Sequence, residues 1–118
     1  MRIQIDVRPP SVNTYKTFHS RGAYISKKGR EFKEYVEMSL VSLKNEGVVT
    51  SFGDARLKVE YEFHFKGKRK RDVDNYIKPL QDCMEGILFD DDEQIDEINA
   101  KRFYHCEFDY IIVSIEKL

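Results

Sequence analysis

Two groups of acidic residues near the middle of the sequence have the composition of a divalent-cation site. The first is Asp72 and Asp74, with Lys78 four residues further on, and the second is the run Asp90–Glu93. Carboxylates held close together repel one another unless a cation lies between them or one takes up a proton. Mg²⁺ prefers oxygen ligands, keeps several waters and bridges to phosphates. We therefore predict a Mg²⁺ site, with Mn²⁺ as a substitute ion.

The tract 66–71, which reads Lys-Gly-Lys-Arg-Lys-Arg, directly precedes the first acidic group. A tract of this kind binds phosphates without reading base sequence, although it also suits a solvated hairpin tip. An Asp-x-Asp pair likewise suits the start of a helix, where it caps and complements the helix dipole. The combination of acids and adjacent cations favours an enzyme that cuts a phosphate backbone. Lys78 would then neutralise charge that develops on phosphorus or position the attacking water.

The net charge of −1 conceals a strong asymmetry. Residues 1–71 carry 16 Lys/Arg and 8 Asp/Glu, whereas residues 72–118 carry 4 Lys/Arg and 13 Asp/Glu. Such asymmetry suggests a nucleic-acid partner, although the two halves could equally neutralise each other on the folded surface. The two cysteines, Cys83 and Cys106, have no metal-binding spacing and suit packing residues with free thiols. No apolar run is long enough to span a membrane, and we expect a cytoplasmic protein.

Alternating apolar residues predict four strands, and apolar stripes at helical spacing predict two helices. The first helix begins after Ser26 as its N-cap and ends at Gly47. The second begins at Asp72 or Asp74 and contains Pro79, which should kink it or delay its first bonded turn. We expect the last two strands to form a hairpin through residues 105–109. The predicted strands and helices cover 1–8, 27–46, 56–66, 72–87, 95–103 and 110–118.

This order, β-α-β-α-β-β, predicts an α+β fold with a mixed sheet and two main helices on one face. The length of 118 residues suits a single domain. Aromatic residues near the amino-terminal loop, such as Tyr15 and Tyr24, could stack on exposed bases, as aromatics do in single-strand sites. They could equally belong to the core, which is the safer interpretation for Tyr24.

Three segments together resemble the RusA-type Holliday-junction resolvases, small enzymes common in phages and prophages. Residues 9–15, Pro-Pro-Ser-Val-Asn-Thr-Tyr, are similar to the amino-terminal Pro-Ser-x-Asn-x-x-Tyr segment of that family. Residues 71–78 match its Arg-Asp-x-Asp-Asn-x-x-Lys motif, and residues 91–95 match its Asp-Asp-x-Gln-hydrophobic motif. The resemblance spans nearly the whole chain.

The resemblance implies a homodimer that nicks four-way DNA junctions symmetrically with Mg²⁺. It assigns Asp72, Asp74 and Asp92 as catalytic, metal-binding carboxylates and Lys78 as the essential base-type residue. Asp91 is a further candidate metal ligand. Asp90 is an extra acid, and we resolve the resulting ambiguity by aligning on Gln94. We expect DNA contacts from the amino-terminal segment and from the basic tract with its continuation: Asn13, Tyr15, Lys16, Lys68, Arg69, Lys70, Arg71 and Asn75.

Two other functions fit the same residues. A non-catalytic nucleic-acid-binding module could retain the fold and bind junctions without cutting them. A phage nuclease for other branched intermediates, such as flaps, would share the acidic motifs. Cleavage assays on several branched substrates would separate these functions.

Overall fold

A computed structural model describes residues 1–19 and 22–118. Two 3₁₀ turns, Val73–Tyr76 and Asp92–Gln94, precede the third helix and the fifth strand respectively. The helices and strands, in chain order, are β1 (Arg2–Ile5), α1 (Val12–Tyr15), β2 (Lys16–His19), β3 (Gly22–Ile25), α2 (Lys27–Asn45), β4 (Leu57–His64), α3 (Ile77–Met84), β5 (Ile95–Phe103) and β6 (Tyr110–Lys117).

The main sheet has the strand order β1-β6-β4-β5. β6 pairs antiparallel with both β1 and β4, whereas β5 pairs parallel with β4. The strands β2 and β3 form a separate antiparallel ribbon. This mixed sheet confirms the predicted α+β class.

Burial separates the two faces of β4. Val59, Tyr61 and Phe63 are fully buried, whereas the intervening Glu60 and Glu62 are not. The buried residues of β4 join one apolar cluster with residues of β6, α2 and α3. Each large apolar side chain in such a cluster contributes about 1.5–3 kcal/mol. The helices therefore cover one face of the sheet, as predicted, and leave the other face charged.

The predicted hairpin between the last two strands is wrong, because β4 lies between them. The residues after β5 instead pass over the end of β4, where Phe65 N–H donates to the Phe103 carbonyl and Cys106 N–H donates to the Phe65 carbonyl. Ile111, Val113 and Ile115 of β6 are almost completely buried, and such a strand gains most from a central position. β5 is mostly exposed and takes the sheet edge.

The first long helix follows its prediction closely. The hydroxyl of Ser26 accepts a hydrogen bond from Gly29 N–H at 3.0 Å, and Gly47 has a φ of 77° just beyond the helix. The second helix is shorter than the predicted 72–87. Pro79 lies in the first turn of α3, where its missing N–H removes no helical hydrogen bond, so the bonded part begins late. In the part of the chain that the structure describes, no helix is long and apolar enough to cross a membrane.

The side chain of Gln94 fixes the segment that leads into β5. It is buried, and its amide nitrogen donates to the carbonyls of Gly53 and Ala55 at 2.8 and 2.7 Å. Its amide oxygen accepts from the N–H groups of Asp90 and Asp91 at 3.0 and 2.9 Å. Only a primary amide can make this set of two donations and two acceptances. Gln94 therefore sets the path of the acidic run.

We predict that Gln94→Glu lowers the free energy of unfolding by about 2–5 kcal/mol at pH 7, because two carbonyls lose their donor and face a carboxylate. The loss should shrink as the pH falls, because the protonated carboxyl regains one donor. Urea unfolding at pH 7 and pH 5 measures both effects. Asn13→Asp, which places the same chemical change on an exposed amide, is the control. Wild-type stability in the Gln94 variant would contradict the anchoring role.

Candidate active site

The thirty residues between β4 and β5 contain both sequence motifs of interest. Parallel strands cannot be joined by a tight turn, so the chain must cross the sheet face before the second strand begins. The basic tract 66–71 leaves β4, then α3 crosses, and the acidic run 90–93 leads into β5. The crossover connection therefore begins with the basic tract and ends with the acidic run.

The basic tract is fixed at the carboxyl ends of β4 and β5. The N–H of Arg71 donates to the Tyr104 hydroxyl at 2.9 Å, and the Arg102 guanidinium donates to the Arg71 carbonyl. The Arg71 guanidinium lies 4.3 Å from the centre of the Phe65 ring, a cation–π distance. At its other end, Lys66 N–H donates to an Asp109 carboxylate oxygen at 2.9 Å. These contacts hold the tract in place at both ends.

A cavity of about 600 Å³ opens beside this tract. Of the residues that the structure describes, five cationic side chains line it, and Asp72 is the single acid among them. The concentration of positive charge suits a polyanion such as a nucleic-acid backbone. The lining residues are Arg8, Pro9, Pro10, Ser11, Thr14, Lys28, Phe32, Arg69, Lys70, Arg71, Asp72, Asn75 and Tyr76.

The two acids of the first motif lie on the 3₁₀ turn that precedes α3. Asp72 occupies the N-cap position, but its side chain makes no capping hydrogen bond; its carbonyl accepts from Asn75 N–H at 3.1 Å. Asp74 lies within the turn and is exposed. Asp72 therefore holds the predicted N-cap position without a side-chain capping hydrogen bond, and Asp74 lies in the first turn, where its charge suits the helix dipole.

The ammonium of Lys78 connects α3 to the second acidic group. It forms ion pairs with Asp82, at 3.2 Å, and with Asp92. Both carboxylates are partly buried, with side-chain exposures of 22% and 24%. The hydrogen bond that Lys78 donates to Asp92, with the one it donates to Asp82, raises the pKa of Lys78 above its ordinary value, against the opposing effect of partial burial. Lys78 is thus a cation at neutral pH and brings positive charge to this group of acids.

Carboxylate oxygens of Asp82, Glu85 and Asp92 lie within 4.8 Å of one another. Glu85 also accepts a hydrogen bond from Asp92 N–H at 3.3 Å. Among the His, Cys, Asp and Glu side chains that the structure describes, no other group of three is this close, so Asp72 and Asp74 do not join it. Three oxygen ligands and a net charge of −2, with Lys78 included, fit a hard divalent cation.

The three consecutive aspartates of the acidic run differ in their contacts. The carboxylate of Asp91 accepts from Glu93 N–H at 3.0 Å and caps the 3₁₀ turn. Asp90 is exposed, and its backbone N–H donates a hydrogen bond to the side-chain oxygen of Gln94. Only the Asp92 carboxylate pairs with Lys78. The alignment on Gln94 therefore selects the aspartate that lies beside Lys78.

Some of the predicted DNA-contacting residues line the cavity, and others lie outside it. Arg69, Lys70, Arg71 and Asn75 line the cavity, whereas Asn13, Lys16 and Lys68 do not. Asn13 and Lys68 are exposed, and Lys16 is partly exposed.

Tyr15 is 1% exposed and cannot stack on a base in this structure. Its carbonyl accepts from Ser26 N–H at 2.8 Å, which holds α1 against the start of α2. A Cβ at Gly29 would lie 2.4 Å from this carbonyl, so glycine permits the close approach. Tyr24 shows the reverse: we expected it in the core, and it is 52% exposed.

Four residues of these two regions were missed or undervalued from sequence. Asp74 lies four residues before Lys78 and Asp82 lies four residues after it. The helical spacing that indicated Asp74 therefore also indicates Asp82. Glu85 depends on the bend after α3, which the predicted longer helix concealed. Arg8 and Lys28 line the cavity because the amino-terminal segment and α2 fold against the basic tract, and no local motif marks them.

Comparison with known proteins agrees with these features. The family described as "Endodeoxyribonuclease RusA" matches residues 6–116. The "Crossover junction endodeoxyribonuclease rusA" of Enterobacteria phage HK97 is 35% identical over 95 residues, which cover 80% of this chain and 76% of the phage protein. The chain therefore belongs to the RusA family of endodeoxyribonucleases.

Proposed function

We propose that this protein is a Mg²⁺-dependent endonuclease that resolves four-way DNA junctions by paired symmetric nicks. The observation that carries the proposal is the cationic cavity with Asp72 as its one acid, joined by α3 to the acidic group around Asp92. The HK97 relative is named for cleavage of crossover junctions. Residues 1–118 would act as one domain, and an enzyme of this kind works in the cytoplasm, where phage and bacterial DNA lies.

The cavity would hold the sugar-phosphate backbone of the DNA. Its cations come from three parts of the chain: Arg8 before α1, Lys28 on α2, and the basic tract. Contacts of this type position a duplex without reading its sequence, which suits recognition by shape. Asn13, Lys16 and Lys68, which lie outside the cavity lining, would contact a neighbouring arm of a branched substrate.

Two sets of carboxylates are candidates for holding the metal. The family resemblance assigns Asp72, Asp74 and Asp92, with Asp91 as a fourth acid. The spatial grouping supports Asp92 together with Asp82 and Glu85. A bound Mg²⁺ would polarise the scissile phosphate and activate a water. Asp91 ranks lowest, because its carboxylate already caps the 3₁₀ turn.

Lys78 would act as a positive charge at the reacting phosphate. Its ammonium is compact and is held between Asp82 and Asp92. A substrate phosphate would compete with these carboxylates for the ammonium, and charge that develops on the phosphate oxygens would strengthen the new contact. A homodimer suits this chemistry, since a two-fold axis presents equivalent sites to the two equivalent strands of a junction.

We expect Asp74→Asn to abolish Mg²⁺-dependent nicking of a synthetic four-way junction and to leave junction binding intact. The substitution removes a ligand charge and no phosphate-binding cation. Glu34→Gln, which neutralises an exposed carboxylate on α2, is the control. Assays on a junction, a flap, a fork and a linear duplex should show preference for the junction. Full nicking by the variant would exclude Asp74 from the reaction, and equal cleavage of all substrates would exclude junction selectivity.

A second prediction concerns the metal ligands. Asp92→Asn and Asp82→Asn should each weaken Mn²⁺ binding by the DNA-free protein at least about tenfold, the loss typical of removing a group that holds or orients a metal. Calorimetric titration measures the affinity. Unchanged affinity in Asp82→Asn would remove Asp82 from the metal site. An equal loss in Asp74→Asn would show that the first motif reaches the same ion.

The third prediction concerns the cavity. Replacing Arg69 and Lys70 with alanine should reduce the slope of log K against log salt for duplex binding by about 2, if each cation neutralises one phosphate. The control is Lys44→Ala with Lys117→Ala, which removes the same charge outside the cavity. Fluorescence anisotropy at several salt concentrations gives the slopes. Equal slopes in the two double variants would mean that the cavity does not bind the backbone.

A further inference from the structure

β5 lies at the edge of the main sheet and pairs only with β4 among the described strands. It is nine residues long and largely exposed, with Ile98 49% and Phe103 39% exposed. The Phe103 carbonyl accepts from Phe65 N–H beside β4, and alternate residues of a strand direct their backbone groups to opposite edges. Ile98 and Ala100 therefore direct theirs to the open edge. A long open edge of this kind is a template for another strand.

The charges of β5 are arranged symmetrically about Asn99. Asp96 and Glu97 precede it at distances of three and two residues, and Lys101 and Arg102 follow it at the same distances. Within the part of the chain that the structure describes, neither Glu97 nor Lys101 has an ion-pair partner. A second strand with this sequence, run in the opposite direction, would place opposite charges together.

We propose that β5 pairs antiparallel with β5 of a second copy, centred on Asn99, so that the two sheets join into one of eight strands. This inference rests on the proposed homodimer and names its surface. Glu97 of each copy then faces Lys101 of the other. Asp96, which is already paired with Arg56, lies opposite Arg102, which already donates to the Arg71 carbonyl. The arrangement is self-complementary, as a two-fold interface requires.

The faces of the sheet agree with this register. Ile98 is aligned with Val59 and Ala100 with Tyr61 on β4, so both lie on the helix-covered face. Pairing about Asn99 brings Ile98 of one copy opposite Ala100 of the other, which extends the apolar layer across the junction. The Glu97 and Lys101 pairs lie on the charged face. Opposite-charge pairs directly across strands are favourable, and like pairs are unfavourable.

Other registers lose these pairs. A shift of two residues in one direction opposes Glu97 to Phe103 and Ile98 to Arg102. A shift in the other direction opposes Glu97 to Asn99 and Asp96 to Ala100. A parallel, in-register arrangement places each charge beside its own copy. A shift of one residue would put the helix-covered faces of the two copies on opposite sides of the sheet. Charge and sheet face together therefore select one antiparallel register.

Cysteine cross-linking tests the register directly. In the Cys106→Ser background, Asn99→Cys should give a disulfide-linked dimer under mild oxidation. Asn99 would meet its own copy in a non-hydrogen-bonded pair with a Cα separation of about 4.5 Å, within disulfide range. Lys101→Cys is the control, because its copies would lie four residues apart along the strands, about 13 Å. Non-reducing electrophoresis separates the outcomes.

Charge reversal gives an independent test in solution. Glu97→Lys and Lys101→Glu alone should each weaken the dimer, because each creates like-charge pairs. The double variant should restore it, because the pairs return with their signs exchanged. Glu34→Lys, on an exposed part of α2, is the control. Sedimentation measures the dimer dissociation constant.

The outcomes distinguish this surface from the proposed function. A dimer that cross-links through position 99 and not through position 101, with rescue in the double variant, supports the pairing. A wild-type dimer without cross-linking at position 99 overturns the β5 surface and leaves the proposed homodimer intact. A wild-type monomer overturns both. Junction nicking by the same wild-type preparation reports separately on the proposed activity.

Discussion

The parallel pairing of β4 with β5 is the constraint on which the rest of the molecule depends. Parallel neighbours force the chain to cross a face of the sheet, and this crossover carries both the basic tract and the acidic motifs. Its first part, the basic tract, is fixed at the carboxyl ends of the two strands by Tyr104 and Arg102. Its last part, the acidic run, is fixed by Gln94 before the amino end of β5. One connection thus separates the cations of the basic tract from the acids of the acidic run and joins them through α3.

This separation has an electrostatic consequence. Three carboxylates near the end of α3 would destabilise the fold if they faced one another without a cation. Lys78, one turn earlier on the same helix as Asp82, supplies the nearest positive charge and pairs with two of them. In the proposed reaction the same ammonium would also meet the substrate phosphate. A bound metal ion would then take over the neutralisation of the acids.

The sequence predicted the elements better than their arrangement. Alternation in β4 and β6 identified both strands, because alternation reports which face is buried. It does not report which strand lies beside which, and the hairpin prediction failed for that reason. The N-cap Ser26 and Gly47 marked α2 because capping chemistry is local. Arg8 and Lys28 could not be assigned to the cavity, since their proximity to the basic tract depends on tertiary packing.

The acidic run shows why position in a motif can outweigh distance along the chain. Three consecutive aspartates make a count from Lys78 ambiguous, but the buried amide of Gln94 removes the ambiguity. Its oxygen holds the N–H groups of Asp90 and Asp91, so the residue that follows them starts the 3₁₀ turn. The Asp91 carboxylate is used in the cap, and the Asp92 carboxylate is left facing Lys78. An extra residue before the acidic run would therefore leave Asp92 in the same position beside Lys78. The reason is that Gln94, which fixes the run, lies after it and not before it.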